Sequence, residues 1–478
     1  MQGIWTTERI REAEGRLFAV TPEGELMRRA SFGLAVRLAE FLAEHTGTVS
    51  GRRVVLLVGS GDNGGDALWA GAFLRRRGVA VTAVLLGSRA HEAGLAALRR
   101  AGGRVVSAED GPQWIARADV VVDGIVGISA SGSLRPEAAR LVSLVEAPIV
   151  AVDLPSGVDP DTGAVDGPAV RATLTVTFGA RKPVHVLAPT WCGEVVLVDI
   201  GLELGEPSLN QLDVVDVAAA WPVPGPEDDK YSQGVVGVAA GSATYPGAAV
   251  LTAGSAVRAT AGMVRYAGHA ADVVRSQWPE VIATGTVADA GRVQAWAVGP
   301  GIGTGSEGRD VVRYVLGRGL PVCADADATT IIAKSPEVLD ARDPDTPLVL
   351  TPHAGEYARL MGRAPGADRV TAARDAARRY NAVVLLKGYV TVIAAPDGRV
   401  AVNKPHGAWL ATPGSGDVLS GLIGALLAAG VDPWLAAAAA AHVHSVAGAI
   451  AAQNAPTSSS ALVHAIPEAI RAVRSLTS

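Results

Sequence analysis

Carboxylates and glycines recur together at the ends of apolar runs, which is where a parallel sheet delivers side chains to a ligand. The densest case is Ala411-Thr412-Pro413-Gly414-Ser415-Gly416-Asp417, which runs on through Val418-Leu419-Ser420-Gly421 into the apolar stretch Leu422–Leu427. Gly414 and Gly416 bare the backbone just ahead of a helix, and free N–H groups at a helix start attract anions such as phosphate. Asp417 stands at that start, placed to take a proton from a hydroxyl beside a phosphate. A lone aspartate there more often caps its own helix. The neighbouring segments argue for more. Gly299-Pro300-Gly301-Ile302-Gly303-Thr304-Gly305 follows the run Ala295–Val298, and Asp325-Ala326-Asp327 follows Pro321–Ala324. Thr351-Pro352-His353-Ala354-Gly355-Glu356 follows Leu348–Leu350, and Lys387-Gly388-Tyr389 follows Val383–Leu386. Four successive runs thus end in polar or glycine-rich loops, as one site would require.

A second constellation lies in the first half. Arg53–Val58 runs into Gly59-Ser60-Gly61-Asp62-Asn63-Gly64-Gly65-Asp66. Its four glycines sit at an expected strand-to-helix turn, where they allow positive φ and let backbone N–H groups approach a ligand closely. The spacing is neither GxGxxG nor a Walker loop. Oxygens of Asn63 and Asp66 inside the turn could hold an ion. The run Val120–Val122 ends in Asp123, followed by Gly124-Ile125-Val126-Gly127-Ile128-Ser129. Ile149–Val152 ends in Asp153, followed by Leu154-Pro155-Ser156-Gly157-Val158-Asp159. Each acid alone is an ordinary turn or cap residue. Three such ends together converge on one place.

The elements that must hold these residues alternate. The first half reads as helical periodicity from Thr7 to His45 with a start signal at Thr21-Pro22. Strand Arg53–Val58, helix Asp66–Arg77, strand Val79–Leu86 and helix Ala90–Ala101 follow, then runs at Ala118–Val122, Pro148–Val152, Leu174–Phe178 and Val195–Val198. The second half adds Val235–Ala239, Ala295–Val298, Pro321–Ala324, Leu348–Leu350, Val383–Leu386 and Thr391–Ala394. Continuous apolar strands alternating with helices predict α/β domains with parallel sheets covered on both faces. The 478 residues exceed one core, and 49% hydrophobic but 4% aromatic content with 56 glycines fits such layers. From Trp221 to Asp229 three prolines and three acids fall in nine residues, which marks a linker 221–229 between domains 1–220 and 230–478.

A net charge of −5, with no basic stretch interleaved with aromatics, excludes a nucleic-acid footprint. Cys192 and Cys323 have no partner at metal-ligand spacing and read as reduced core thiols. Met1–Glu12 is charged and has no apolar core, so no signal peptide is expected there. The alanine-rich stretch near Leu435–His442 reads as a packed helix rather than a membrane span. A soluble cytoplasmic protein is expected, and its apolar N-terminal helices and strand edges suit a homo-oligomer.

With DNGGD, DGIVGIS, DLPSGVDPDTG, TFGARKPVHVLAP and CGEVVLVDIGL in order, residues 7–205 resemble the YjeF N-terminal domain. That resemblance implies a Rossmann-like three-layer αβα domain that epimerises the R and S forms of hydrated nicotinamide cofactor, NAD(P)HX, and holds K+. By position, Asn63, Asp123 and Ser156 would bind the potassium. Asp62, Asn63, Gly64, Gly65 and Asp66, with Gly127, Ile128, Ser129, Ala130, Ser131, Gly132 and Ser133, would hold the cofactor, and Asp153 would be the acid/base. Asp62 and Ala67 stand where GNNGGDG has Asn and Gly, and Ile128-Ser129 where Thr-Gly is usual.

Lys230-Tyr231-Ser232-Gln233-Gly234, Gly241-Ser242, Tyr245-Pro246-Gly247-Ala248, GPGIGTG, DAD, TPHAGE, LLKG and GSGDVLSG cover nearly all of 230–475. This half resembles the ribokinase-like superfamily and, within it, the ADP/ATP-dependent NAD(P)HX dehydratases. The resemblance implies ADP (or ATP) with Mg2+ as cofactors and NADHX or NADPHX as substrate. Asp417 would be the catalytic base. Gly414, Ser415 and Gly416, with Lys387, Gly388, Tyr389, Val390 and Thr391, would contact the nucleotide, and Ala248, Gly303 and His353 the hydrate. Pro413 replaces a common glycine and removes one N–H donor. The alternative reading is a ribokinase-like kinase of a small vitamin precursor with a non-catalytic N-terminal binding module.

Overall fold

The structure is a computed structural model that describes residues 1–128, 132–260 and 262–475. The chain folds into two compact units, Gly3–Ser208 and Leu209–Ser478, the second also taking Met1–Gln2.

The first unit is built on a seven-stranded sheet that is parallel throughout. Its strand order is Arg104–Ser107, Ala80–Leu85, Arg53–Val58, Val120–Gly124, Ile149–Val152, Leu174–Phe178, Glu194–Val198. The chain reverses its direction of travel across the sheet at Arg53–Val58, so the crevice beside Val120–Gly124 is the place where an open α/β sheet binds ligands. Val54, Leu56 and Val58 pack on one face with helices Glu25–Thr46 and Asp62–Arg75, while Val55 and Leu57 pack on the other with Ile115 and Leu141. Both faces are covered, as continuous apolar strands require. The helical region before the sheet is split into Thr7–Phe18 and Glu25–Thr46, with Thr21-Pro22 in the break.

The glycine-rich segment departs from expectation. The helix starts at Asp62 rather than Asp66, so Asn63, Gly64, Gly65 and Asp66 form its first turns. None of the four glycines has positive φ. They are needed for proximity. A Cβ on Gly59 would sit 1.8 Å from the Ile125 carbonyl oxygen, and one on Gly64 would sit 2.3 Å from that of Gly59. Backbone cannot yield as a side-chain tip does. Gly59→Ala is therefore expected to cost about 1–3 kcal/mol or more and to lower the first unit's melting temperature by several degrees. Gly61→Ala, where the new methyl meets nothing within 4 Å, is the control that should melt like the parent.

The second unit carries an eleven-stranded sheet whose edge strand begins at Gln2. From Leu209–Gln211 the order is Val400–Val402, Val392–Ala394, Val383–Leu386, Leu348–Leu350, Val322–Ala324, Ala295–Val298, Val235–Ala239, Met263–Ala267, Ile282–Thr284. From Leu209–Gln211 to Ile282–Thr284 neighbouring strands pair in parallel, except that Val392–Ala394 runs antiparallel to both of its neighbours. Helices Pro246–Ala259, Ser415–Ala428, Pro433–Ala452 and Ser459–Ser475 share one apolar cluster on this sheet. Pro433–Ala452 is long and apolar enough to cross a membrane, but 72% of its most apolar window is buried inside the protein. It is a core helix, which is the expected packing. Cys192 and Cys323 are both buried and free.

The boundary differs from the one read from the proline-rich stretch. Strand Leu209–Gln211 joins Val400–Val402, and helix Val214–Ala220 packs on Pro433–Ala452 and Ser459–Ser475. Trp221 is buried, and its indole N–H donates to the Ala259 carbonyl at 2.8 Å. Residues 209–220 thus belong to the second unit, and the division falls at 208/209 rather than at 221–229.

Candidate active sites

In the first unit the ends of three adjacent strands bring Asn63, Asp123, Ser156 and Asp153 together. Asp123 is fully buried. Its Oδ1 accepts from the Ser156 hydroxyl at 2.7 Å and the Ile125 N–H at 3.2 Å, and its Oδ2 accepts from the Ser156 N–H at 2.8 Å. Burial pushes its carboxyl up to about 6 against these hydrogen bonds, and no lysine or arginine is among its hydrogen-bond partners. Asn63 is held by its amide nitrogen, which donates to the carbonyls of Val126 and Val152 at 3.0 and 2.6 Å. Its Oδ1 accepts no hydrogen bond among the described residues. A buried carboxylate without a cationic neighbour, beside a free amide oxygen and a hydroxyl, is an oxygen set suited to a monovalent cation.

Asp153 sits in left-handed backbone at φ 69°, a strained conformation for a non-glycine residue. Its Oδ1 accepts from Lys182 Nζ at 2.6 Å and from Thr177 Oγ1 at 2.9 Å. Lys182 is almost completely buried, its ammonium also held by Thr177 Oγ1 and the Ala180 carbonyl. His185 fixes the loop from behind. Its Nδ1 accepts from the Lys182 N–H, so the proton lies on Nε2 and is donated to the Asp153 carbonyl at 2.8 Å. Burial, with the charge of Lys182, pushes His185 down to about 3, so it stays neutral. No hydrogen bond among the described residues reaches Asp153 Oδ2, which is left for a ligand.

Further acids surround the pair. Asp66 is buried, accepts from the Ser31 hydroxyl at 2.9 Å, and is raised well above the usual carboxylate range by burial and by Asp153, Asp62 and Glu14. Glu14 is raised by burial, with Lys182 opposing. Asp62 is exposed, and Gly64 and Gly65 are buried. Gly127 and Ile128 are half-buried, Gly132 and Ser133 exposed, and Ser129, Ala130 and Ser131 lie outside the described residues.

In the second unit four neighbouring strands, Ala295–Val298 through Val383–Leu386, end along one edge of the sheet. Helix Ser415–Ala428 begins at the same edge, its cap Gly414 in left-handed backbone at φ 84°. Asp417 is half-buried in the first turn. Burial, followed by the Asp325 carboxylate, pushes it up to about 7, Lys387 opposing and Asp327 adding to the rise. Asp325 is buried, ion-paired with Lys387 Nζ and accepting from the Ser420 hydroxyl at 2.7 Å. Asp327 accepts from the Gly303 N–H at 2.9 Å. Between them Ala326 lies at φ 49°, ψ −113°, a strained position like that of Asp153. A Cβ on Gly416 would lie 3.2 Å from Lys387 Nζ, so the bare helix start faces an ammonium group. His444 donates to the Ser415 carbonyl at 2.9 Å and, pushed by burial down to about 4, is neutral.

Known proteins match both halves of the chain. The NAD(P)H-hydrate dehydratase family profile matches residues 236–471, and that of the YjeF-related protein N-terminus matches 23–184. The bifunctional NAD(P)H-hydrate repair enzyme Nnr of Mycobacterium tuberculosis is 57% identical over 442 residues, 92% of each chain. That of Mycobacterium leprae is 54% identical and covers 99% of this chain and 100% of its own.

The chain belongs to the bifunctional NAD(P)H-hydrate repair enzyme family.

Among solved structures, an ADP/ATP-dependent NAD(P)H-hydrate dehydratase from Bacillus subtilis, co-crystallised with ATP and Mg2+, matches at 27% identity with a TM-score of 0.50. It covers 55% of this chain and 99% of its own. A ribokinase-like protein of Enterococcus faecalis, 20% identical with a TM-score of 0.51 over 57% of this chain and 98% of its own, shares the fold. The identity runs through both halves, which sets aside the reading as a vitamin-precursor kinase with an inert N-terminal module.

Several of the other residues expected to contact ligand also hold protein partners of their own. The His353 ring caps helix Ala354–Met361, its Nδ1 accepting from the N–H groups of Gly355 and Glu356. Its Nε2 lies 3.5 Å from Glu356 Oε1 on the exposed edge of the ring. The Lys387 ammonium pairs with Asp325, while Tyr389 is exposed and Val390 buried. Thr391 Oγ1 donates to the Gly388 carbonyl, and Ala248 lies against Gly301, two residues before Gly303. Reasoning from sequence misses Lys182, His185, Glu14 and Ser420. The Arg181-Lys182 pair inside TFGARKPVHVLAP is the available signal for Lys182.

Proposed function

We propose that the second unit dehydrates S-NAD(P)HX at the expense of ADP and that the first interconverts the R and S hydrates. The observation that supports this most is Asp417, half-buried with a carboxyl near 7, set between a bare helix start and the Asp325–Lys387 pair. Hydroxide leaves C6 of the hydrated ring poorly. Asp417 takes the proton of the C6 hydroxyl as that oxygen attacks the terminal phosphorus of ADP, and the bond to the AMP oxygen breaks. The phosphate then departs with the C6–O electron pair, and the C5 proton is lost to it. The double bond of the reduced cofactor is restored, with AMP and phosphate as the other products. The N–H groups at Gly414–Gly416 and the Lys387 ammonium bind charge on the phosphates, which is most of what phosphoryl transfer asks of a protein.

Mg2+ fits as a companion of the nucleotide. Among the described residues no group of three or more His, Cys, Asp or Glu side chains could hold a metal, and Mg2+ ordinarily relies on one or two carboxylates plus substrate phosphates. Asp327 is the carboxylate that would assist, and the ion would neutralise charge developing on the phosphates.

At the first site C6 is a carbinolamine carbon, and a proton must move to or from its hydroxyl for the carbon to become planar and reclose on the other face. Asp153 Oδ2 serves as that proton carrier, while Lys182, Thr177 and His185 hold its carboxylate and backbone still. K+ would be held by Asn63, Asp123 and Ser156, balancing the buried Asp123 charge and fixing the adjoining loops. The test uses the whole chain with purified R hydrate, no nucleotide, and K+ or a large organic cation as the counter-ion. R-to-S conversion should be rapid in K+ and much slower without it. Equal rates in both salts would remove the potassium assignment, and no conversion in either would remove the epimerase reading.

A further inference from the structure

At the carboxyl edge of the first unit's sheet lies a cavity of about 840 Å3. It is walled by the loops after Arg53–Val58, Ala80–Leu85 and Val120–Gly124 and by residues 132–138. Asp153 does not line it, but Gly157 and Val158 of the same loop do. The cavity therefore leads away from the reacting ring towards the strand Ala80–Leu85, and a dinucleotide held at Asp153 would lay its far, adenosine end there.

The charge of that far end is informative. Arg89 and Arg135 line the cavity against the single carboxylate Glu137. Neither arginine side chain has a hydrogen bond or ion pair among the described residues. Two exposed guanidinium groups with no protein partner among the described residues, at the wall of a ligand-sized cavity, are placed to receive an anion from outside. Arg89 follows Ala80–Leu85, which lies directly beside the strand that carries the glycine segment. In dinucleotide-binding sheets of this order, the loop after that second strand meets the adenosine ribose, where an arginine accommodates a 2′-phosphate.

We infer that Arg89 binds the 2′-phosphate of the adenosine ribose, so that the first site favours NADPHX over NADHX. The inference rests on the epimerase reading of that site. A planar guanidinium matches a phosphate dianion with two parallel hydrogen bonds, and Arg135 adds positive charge to the same cavity.

The test compares the full-length chain with Arg89→Ala, following epimerisation of R-NADPHX and R-NADHX without nucleotide so that the second site is idle. The wild type should show the higher kcat/KM for NADPHX. In the variant that preference should fall by about 10- to 100-fold, with NADHX nearly unchanged. Equal losses on both hydrates, or an unaltered preference, would overturn the inference. If the wild type epimerises neither hydrate, the epimerase reading fails, and titration with NADP+ and NAD+ still decides this point. Tighter binding of NADP+ by the wild type, with the margin gone in Arg89→Ala, supports the role. The same margin in both proteins, or none in either, overturns it.

Discussion

Asp417→Asn is expected to bind ADP as the wild type does and to lose nucleotide-dependent dehydration by about 10²–10⁴-fold, the usual cost of removing a general base. The substitution keeps the volume and the helix start, so the glycine-flanked N–H groups remain available to phosphate. What disappears is the acceptor for the hydroxyl proton. The wild-type pH profile follows from the same carboxyl. Burial and Asp325 raise it to about 7, and the base is the unprotonated form. The rate should therefore rise with pH up to about 7 and level off, falling about tenfold per unit on the acid side. That acid limb should be absent from the residual activity of the Asn variant. Initial rates on S-NADHX across this range, with ADP affinity measured separately, check both statements. Near wild-type turnover in the variant would remove Asp417 from the chemistry.

Asp153→Asn should lower R-to-S conversion by about 10²–10⁴-fold while leaving the dehydration of pure S hydrate unchanged. The amide can still accept from Lys182 and Thr177, so the loop should keep its strained course, but it cannot carry a proton. Supplied with R hydrate, ADP and Mg2+, this variant should stall with R hydrate unspent. Nucleotide-dependent dehydration lost in parallel would show that the damage is to folding rather than to one site. Epimerisation that persists at the parental rate would transfer the proton carrier elsewhere, with Glu14, which feels the charges of Lys182 and Asp153, the next candidate.

Much of this arrangement is legible ahead of the structure because buried parallel strands leave a strong trace. Runs such as Arg53–Val58 and Val383–Leu386 have no polar interruption, and the acids that follow them mark where the sheet presents its ends. The start of helix Ser415–Ala428 is legible from Gly414 and Gly416. Other strands are not: Ile282–Thr284 and Val400–Val402 carry no comparable run of bulky apolar residues, and Met263–Ala267 carries Arg265 in its middle. Proline marks where regular structure breaks but not which core claims the residues before it. That is why a boundary drawn at the prolines puts 209–220 in the wrong unit. Gly59 announces tightness, but whether it serves a positive φ or a close crossing depends on Ile125, which is distant in sequence. Lys182 beside Asp153 is a contact across 29 residues, and only the folded sheet reveals that both occupy one buried site.

The central claim is that the mouth of helix Ser415–Ala428 couples cleavage of a nucleotide to loss of the C6 hydroxyl. One experiment tests it directly: the full-length chain with S-NADHX, ADP and Mg2+, following reduced-cofactor absorbance, AMP and inorganic phosphate together. The account predicts that all three appear at the same rate in equal amounts and that omitting ADP stops all of them. Recovery of the absorbance without AMP, or a phosphorylated hydrate that accumulates and persists, would contradict it.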